Sequence, residues 1–301
     1  MKIKANGIEI FVDDSGADGS QNGRPVVLLI MGLGMQFIGW PPEFVQPLID
    51  AGYRVVRYDN RDIGLSQGFE HAGKRNLVWE SVRARMGLRV RSAYTLQDMA
   101  DDALGLLDAL GIARAHVIGA SMGGMIAQRV AATAPERVLS LTSIMSSSGA
   151  RGLPGPRAEV ASGLIRRPTG RSEDALVAFS LGFIKLIASP AYPYEPAALA
   201  TRVRTGIQRA YRPDGVMRQL LAIGADSERP TVLSKVRSPT LVLHGEADKL
   251  VPIACGQDTA RRIAGARFVS IPGMGHDLPP QVSALLTGHI VPFLKSVEAG
   301  Q

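Results

Sequence analysis

Apolar residues along the chain recur in two patterns. Short continuous runs come first, of which Val26–Met31 (VVLLIM) is the clearest. A run of this length with no polar break is what a strand buried on both faces requires. Tyr53–Tyr58, Ala115–Ala120, Val138–Ile144, Thr240–His244 and Arg267–Ile271 also read as strands, each with polar residues among the apolar ones, and Ile8–Asp13 alternates weakly enough to suggest an edge strand. The second pattern has apolar residues at three- and four-residue steps. It predicts helices over Pro41–Ala51, Leu96–Leu110, Met122–Ala134 and Val282–Lys295. Thr95 is placed to cap the second of these, and Asp98, Asp101 and Asp102 mark its polar side.

Strands alternating with helices argue for a mostly parallel sheet covered by helices. The alternation stops between Ser146 and Val236. Six prolines, from Pro154 to Pro196, interrupt short helical patterns there, and no buried-type strand occurs. Residues 146–236 are therefore expected to form a helical cap inserted into a core of residues 1–145 and 237–301.

Composition refines this picture. The chain has 301 residues, 46% of them hydrophobic, enough for a single core with a large insertion. The formal charge is +7, and the excess sits in one place. Between Arg151 and Arg237 there are 14 basic and 7 acidic residues, with 20 of each elsewhere. No helix-turn-helix, zinc or aromatic-interleaved pattern accompanies the charge, so nucleic acid is not the expected partner. Two readings of the basic stretch stand: composition on a solvated surface, or attraction of anionic, carboxylate-bearing substrates. The single cysteine, Cys255, excludes an internal disulfide and reads as a small core filler. With no apolar signal core at the start and no run able to span a bilayer, the expected location is cytoplasmic.

Gly119-Ala120-Ser121-Met122-Gly123 matches G-x-S-x-G, and so does Gly64-Leu65-Ser66-Gln67-Gly68. The pattern is short, so context has to separate them. Ser121 follows an apolar strand and opens a helix directly, whereas Ser66 follows the polar turn Asn60-Arg61-Asp62. A strand turning sharply into a helix strains the turning residue and leaves no room for side chains two residues away, hence the flanking glycines. It also presents the serine oxygen above the sheet, with the Met122 N–H at the helix start free for an oxyanion. Ser121 is the expected nucleophile.

A serine needs a base. Of five histidines, His116 begins a strand, His289 lies in the last helix, His71 lies in a polar stretch and His244 ends a strand as a structural residue. His276, in Pro272-Gly273-Met274-Gly275-His276, follows the last strand in a loop of the kind that meets ligands in such sheets. The orienting carboxylate is expected from Asp248, with Glu246 the rival, giving the chain order Ser, Asp, His. Leu33, in Met31-Gly32-Leu33-Gly34, should supply the second oxyanion N–H, with Gly34 as the fallback.

Together these residues resemble the α/β-hydrolase superfamily over nearly the whole chain. Asp59-Asn60-Arg61-Asp62-Ile63-Gly64-Leu65-Ser66 resembles its D-x-R-G-x-G-x-S turn, with Asp62 in place of a glycine and Ser66 then structural. Gly39-Trp40-Pro41, the Asp59–Asp62 turn and Ile271–His276 resemble the polyketide methyl-esterase branch that includes aclacinomycin methylesterase. The resemblance implies an α/β-hydrolase fold, hydrolysis of a small-molecule carboxylic ester through an acyl-enzyme, and no metal or organic cofactor. C–C bond hydrolysis by the same triad and a silent ligand-binding role are the alternatives; members with dehalogenase or epoxide-hydrolase chemistry carry Asp where Ser121 stands.

Overall fold

The computed structural model describes residues 1–300 apart from 22, 74–78, 81, 84–85 and 87. Eight strands form one sheet: β1 (Lys2–Ala5), β2 (Ile8–Asp14), β3 (Val26–Ile30), β4 (Arg54–Tyr58), β5 (Ala115–Ala120), β6 (Val138–Ile144), β7 (Thr240–Gly245) and β8 (Arg267–Ile271). Their spatial order is β1-β2-β4-β3-β5-β6-β7-β8. The β1–β2 and β2–β4 pairs are antiparallel and the others parallel. Every residue of β3, β5 and β7 is buried, as expected of the unbroken apolar run of β3 and the mainly apolar β5 and β7, whose polar exceptions are His116, Thr240 and His244.

The sequence places Ile8–Asp13 at the sheet edge. In the structure β2 is second, and Lys2–Ala5 holds the edge with Ile3 opposite Ile10. Four residues with two lysines carry too little alternation to register as a strand, and lysines are what an exposed edge tolerates.

Helices α1 (Pro42–Asp50), α2 (Leu96–Ala109) and α3 (Met122–Thr133) connect the first strands. Thr95 caps α2 in a reciprocal box with Asp98. On one face of the sheet, Leu96, Met99, Leu106, Ile126 and Val130 of α2 and α3 pack on Leu28, Ile30 and Val117. On the other, Phe44 and Leu48 of α1 join Leu286, Ile290 and Leu294 of the last helix against Val27, Leu29 and Ile118.

No strand lies between β6 and β7. That stretch forms α4 (Ala158–Ile165), α5 (Glu173–Ile187), α6 (Pro196–Arg209), α7 (Pro213–Ala225) and α8 (Arg229–Val232). Helix α9 (Ile253–Arg262) follows β7, and α10 (Pro280–Ala299) ends the fold, running longer at both ends than its apolar spacing predicts. No described helix is long and apolar enough to cross a membrane. The carboxyl ends of β3, β5, β7 and β8 gather the loops beginning at Met31, Ser121, Glu246 and Pro272 on one edge, where ligands meet open α/β sheets.

Candidate active site

Ser121 joins β5 to α3 with φ 56° and ψ −121°, a conformation costly to any residue with a Cβ. A Cβ on Gly119 would lie 2.1 Å from the Gly123 carbonyl oxygen, and one on Gly123 would lie 2.0 Å from the Ile30 carbonyl oxygen. Neither position admits a side chain. The strained residue is held from both sides. Its N–H donates to the Ile144 carbonyl at 2.9 Å, and its carbonyl accepts the Ser146 hydroxyl at 2.7 Å.

His276 Nε2 lies 2.9 Å from Ser121 Oγ, and His276 Nδ1 lies 2.6 Å from Asp248 Oδ2. An ionised carboxylate only accepts, so the imidazole carries its proton on Nδ1 and turns a bare Nε2 to the hydroxyl. Burial alone would raise the Asp248 carboxyl; the His276 and His244 imidazoles outweigh it and hold the group well below the usual carboxylate range. The other carboxylate oxygen, Oδ1, accepts from Leu250 N–H at 2.9 Å and Val251 N–H at 2.8 Å. Glu246, the rival acid, is exposed and accepts from Ser270 instead.

The remaining histidines lie elsewhere. His244 donates through Nε2 to the Val251 carbonyl, bracing the loop that carries Asp248. His116 is buried between Ser140 and Glu298. His71 is exposed and His289 half-buried on α10. Ser66 is structural: buried, it donates to the Asp59 carbonyl at 2.5 Å and accepts from Phe11 N–H at 2.9 Å. Cys255 is also buried, with its thiol pushed up by burial.

The Met31–Gly34 loop passes directly over the serine. A Cβ on Gly32 would sit 3.1 Å from Ser121 Cβ. Met122 is the first residue of α3, where N–H groups have no acceptor within the helix. Gly34, the fallback donor, is already engaged: its N–H donates to Gln219 Oε1 at 2.9 Å. Leu33 and Met122 remain the expected pair.

Sequence reasoning missed the polar contacts that tie residues 146–236 to these loops. The Ile187 carbonyl accepts His276 N–H at 2.7 Å, and Ser189 Oγ accepts Gly275 N–H at 2.8 Å while donating to Asp277. Arg218 on α7 grips Asp62 through two bonds of 2.6 and 2.7 Å, and Arg209 on α6 reaches Asp59 at 2.7 Å. The Asp62 carboxylate also accepts from Tyr94 OH and Phe69 N–H. A signal existed for part of this. Gly215, Arg218, Gln219 and Ala222 form the buried stripe of α7 at helical spacing, so two polar residues sit on a core-facing face. Five of the 14 basic residues of this stretch, Arg204, Arg209, Arg212, Arg218 and Arg229, pair with carboxylates of the chain itself, while Arg151, Arg157, Arg166, Arg167 and Arg171 stay exposed.

Among the described residues, no group of three or more His, Cys, Asp and Glu side chains is placed to hold a metal ion. A surface cleft of about 550 Å³ lined by Arg114, Val138, Arg237 and Phe293 opens at the amino ends of β5 and β6 and holds none of the residues above.

Comparison with known proteins identifies the family. The family model described as alpha/beta hydrolase fold matches residues 25–280. The chain is 31% identical over 288 residues to rhodomycin D methylesterase DnrP of Streptomyces peucetius, covering 88% of this chain and 89% of that one. It is 29% identical over 261 residues to a 2-hydroxy-6-oxononadienedioate/2-hydroxy-6-oxononatrienedioate hydrolase of a Pseudomonas species, covering 82% and 78%. Among solved structures, a thermophilic esterase from Thermogutta terrifontis superposes with a TM-score of 0.68 at 25% identity, covering 99% of this chain and 98% of that one. The fold, the elbow geometry and these matches lead to one conclusion: the chain belongs to the alpha/beta hydrolase fold family.

Proposed function

We propose that this protein is a serine hydrolase that cleaves carboxylic esters through an acyl-enzyme, with residues 146–236 forming a cap over the site. The observation that carries the reading is the unbroken proton path from Ser121 Oγ through His276 to Asp248, with spacings of 2.9 and 2.6 Å. In this reading Ser121 attacks the ester carbonyl as His276 Nε2 takes its proton. Asp248 keeps the imidazole in the right tautomer and stabilises its charged form. The N–H groups of Leu33 and Met122 receive the oxyanion. His276 then protonates the leaving alcohol and, in a second round, activates water against the acyl-enzyme.

Methyl esters are the first substrate class to test, because a relative over most of the chain is named a methylesterase. A second reading has its own support: a similarly related protein is named as a hydrolase of an oxo-dienedioate, and C–C cleavage uses the same residue types. The test is hydrolysis of methyl and p-nitrophenyl esters beside a vinylogous keto acid, with Ser121→Ala alongside. Ester turnover that falls roughly 10⁴-fold in the variant supports the reading. Ester turnover unchanged in Ser121→Ala overturns it, and turnover of the keto acid alone selects the second.

A further inference from the structure

We propose that Gln219 is a positioning residue for the oxyanion loop, through which helix α7 of the cap segment sets the geometry of carbonyl polarisation. The proposal rests on the reading of Ser121 as nucleophile with Leu33 and Met122 as oxyanion donors.

The Met31–Gly34 segment lies beyond the end of β3 and has lost its strand partners. Within it, Met35 N–H to the Gly32 carbonyl at 3.2 Å is a weak internal tie. Gly34 adopts φ +69°, open to glycine and costly to others. Two glycines in four residues give this loop more conformational freedom than an oxyanion hole tolerates, since such a hole works only if its donors are fixed before the reaction. Something outside the loop must fix it.

Gln219 does so from α7, with 0% of its surface exposed. Its Oε1 accepts Gly34 N–H at 2.9 Å and its Nε2 donates to the Arg61 carbonyl at 2.9 Å. One neighbour is a donor and the other an acceptor, so the amide has a single workable orientation. On the far side, Asn60 Nδ2 donates to the Met31 carbonyl at 2.9 Å. Loop, glutamine, turn and asparagine close a ring of hydrogen bonds around the Met31–Gly34 backbone. Val216, one turn before Gln219 on α7, packs on Gly34, where an added Cβ would meet its Cγ2 at 3.0 Å. The bond to Gln219 also removes the Gly34 N–H from competition with the Leu33 N–H.

The test is Gln219→Met, which keeps length and loses both hydrogen bonds. Because the Gly34 N–H and the Arg61 carbonyl lose their partner, the Tm should fall by several degrees while unfolding stays a single cooperative transition. For a p-nitrophenyl ester, kcat/KM should fall about 10- to 30-fold, a fraction of what losing an oxyanion donor outright costs. The Ki of a trifluoromethyl ketone, whose adduct carries the oxyanion, should rise by the same factor. Binding of a non-hydrolysable ether analogue should change less than about twofold, because ground-state binding does not use the hole. Amide exchange at Gly34, read without substrate, should accelerate. Unchanged Gly34 exchange, or equal losses for ketone and ether, overturns the proposal. If the Met variant does not fold, Gln219→Glu carries the test. A protonated carboxyl there can still accept from Gly34 and donate to Arg61, so activity should approach wild type at the acid end of the active range and fall as pH rises. Equal loss at every pH overturns the proposal. The exchange measurement separates the two failures: a wild type that turns over no ester defeats the serine-esterase reading, whereas slow exchange retained in Gln219→Met defeats this one.

Discussion

Replacing Asp248 by Asn tests the site at its most constrained point. The carboxylate serves two neighbours: Oδ1 takes the Leu250 and Val251 N–H groups, and Oδ2 takes His276 Nδ1–H. An asparagine must give its one carbonyl oxygen to one side. Turning the NH₂ toward Leu250 and Val251 forfeits two hydrogen bonds, about 1–1.5 kcal/mol each. The oxygen therefore stays with the backbone pair in all but about 1% of molecules, since each 1.4 kcal/mol is a factor of ten. The amide NH₂ then faces His276 Nδ1 and forces the ring proton onto Nε2, where it points at Ser121 and blocks base catalysis. This tautomer effect accounts for about 10² in kcat, and loss of the charge that stabilises imidazolium brings the total to about 10³–10⁴. That corresponds to about 4–5.5 kcal/mol of barrier. Because the loop keeps its anchors, Asp248→Asn should unfold near wild type, whereas Asp248→Ala, which strands both N–H groups, should be clearly less stable. The assay is p-nitrophenyl ester turnover at pH 8 beside calorimetric unfolding. An Asp248→Asn enzyme within tenfold of wild type would refute the reasoning.

Other expectations follow from the same geometry. At φ 56° glycine is favoured over alanine, so Ser121→Gly should unfold about 1–3 °C above Ser121→Ala in calorimetry, the reverse of the usual order. Arg218→Met should destabilise by about 3 kcal/mol in urea unfolding, because it leaves the Asp62 carboxylate buried beside Tyr94. Asp62→Gly gains from the φ of +73° but leaves the buried Arg218 guanidinium and the Tyr94 OH without their carboxylate, so it should destabilise as well. Burial pushes the Asp277 carboxyl up to about 6, against the bonds from Ser189 that lower it. A folded value above the unfolded one means that the contribution of this group to stability is fully present below about pH 4 and is lost as pH rises toward 6. Asp277→Asn should therefore raise the Tm at pH 8, by the equivalent of about 3 kcal/mol of stability, and leave it unchanged at pH 4.

Strand identity was legible because burial on two faces demands mainly apolar runs, and β5 and β6 fall on the residues that the pattern marks, polar members included. Ser121 was legible because the elbow is a local device: strand, turn and helix are contiguous, and the clashes that require Gly119 and Gly123 arise within a few residues of the serine and from the neighbouring strand end at Ile30. Asp248 and His276 could be nominated because each follows a strand whose carboxyl end reaches the same edge. The outermost strand escaped notice, because Lys2–Ala5 gains its order only by pairing with β2. The support of the site was illegible for a related reason. Arg218 and Gln219 lie in a stretch of plentiful arginines and act on Asp62 and Gly34 across 156 and 185 residues of chain. A charged or amide side chain in sequence looks like a solvated one; only the fold decides which of them lose water and must find partners. Thus the sequence by itself determined the order of the buried strands and the candidate nucleophile, base and acid. The tertiary structure alone decided that Glu246 faces solvent, that Gly34 is already engaged, and that arginines of a basic stretch pair with carboxylates beside the site, because burial and partner choice are properties of packed surfaces that meet only in three dimensions.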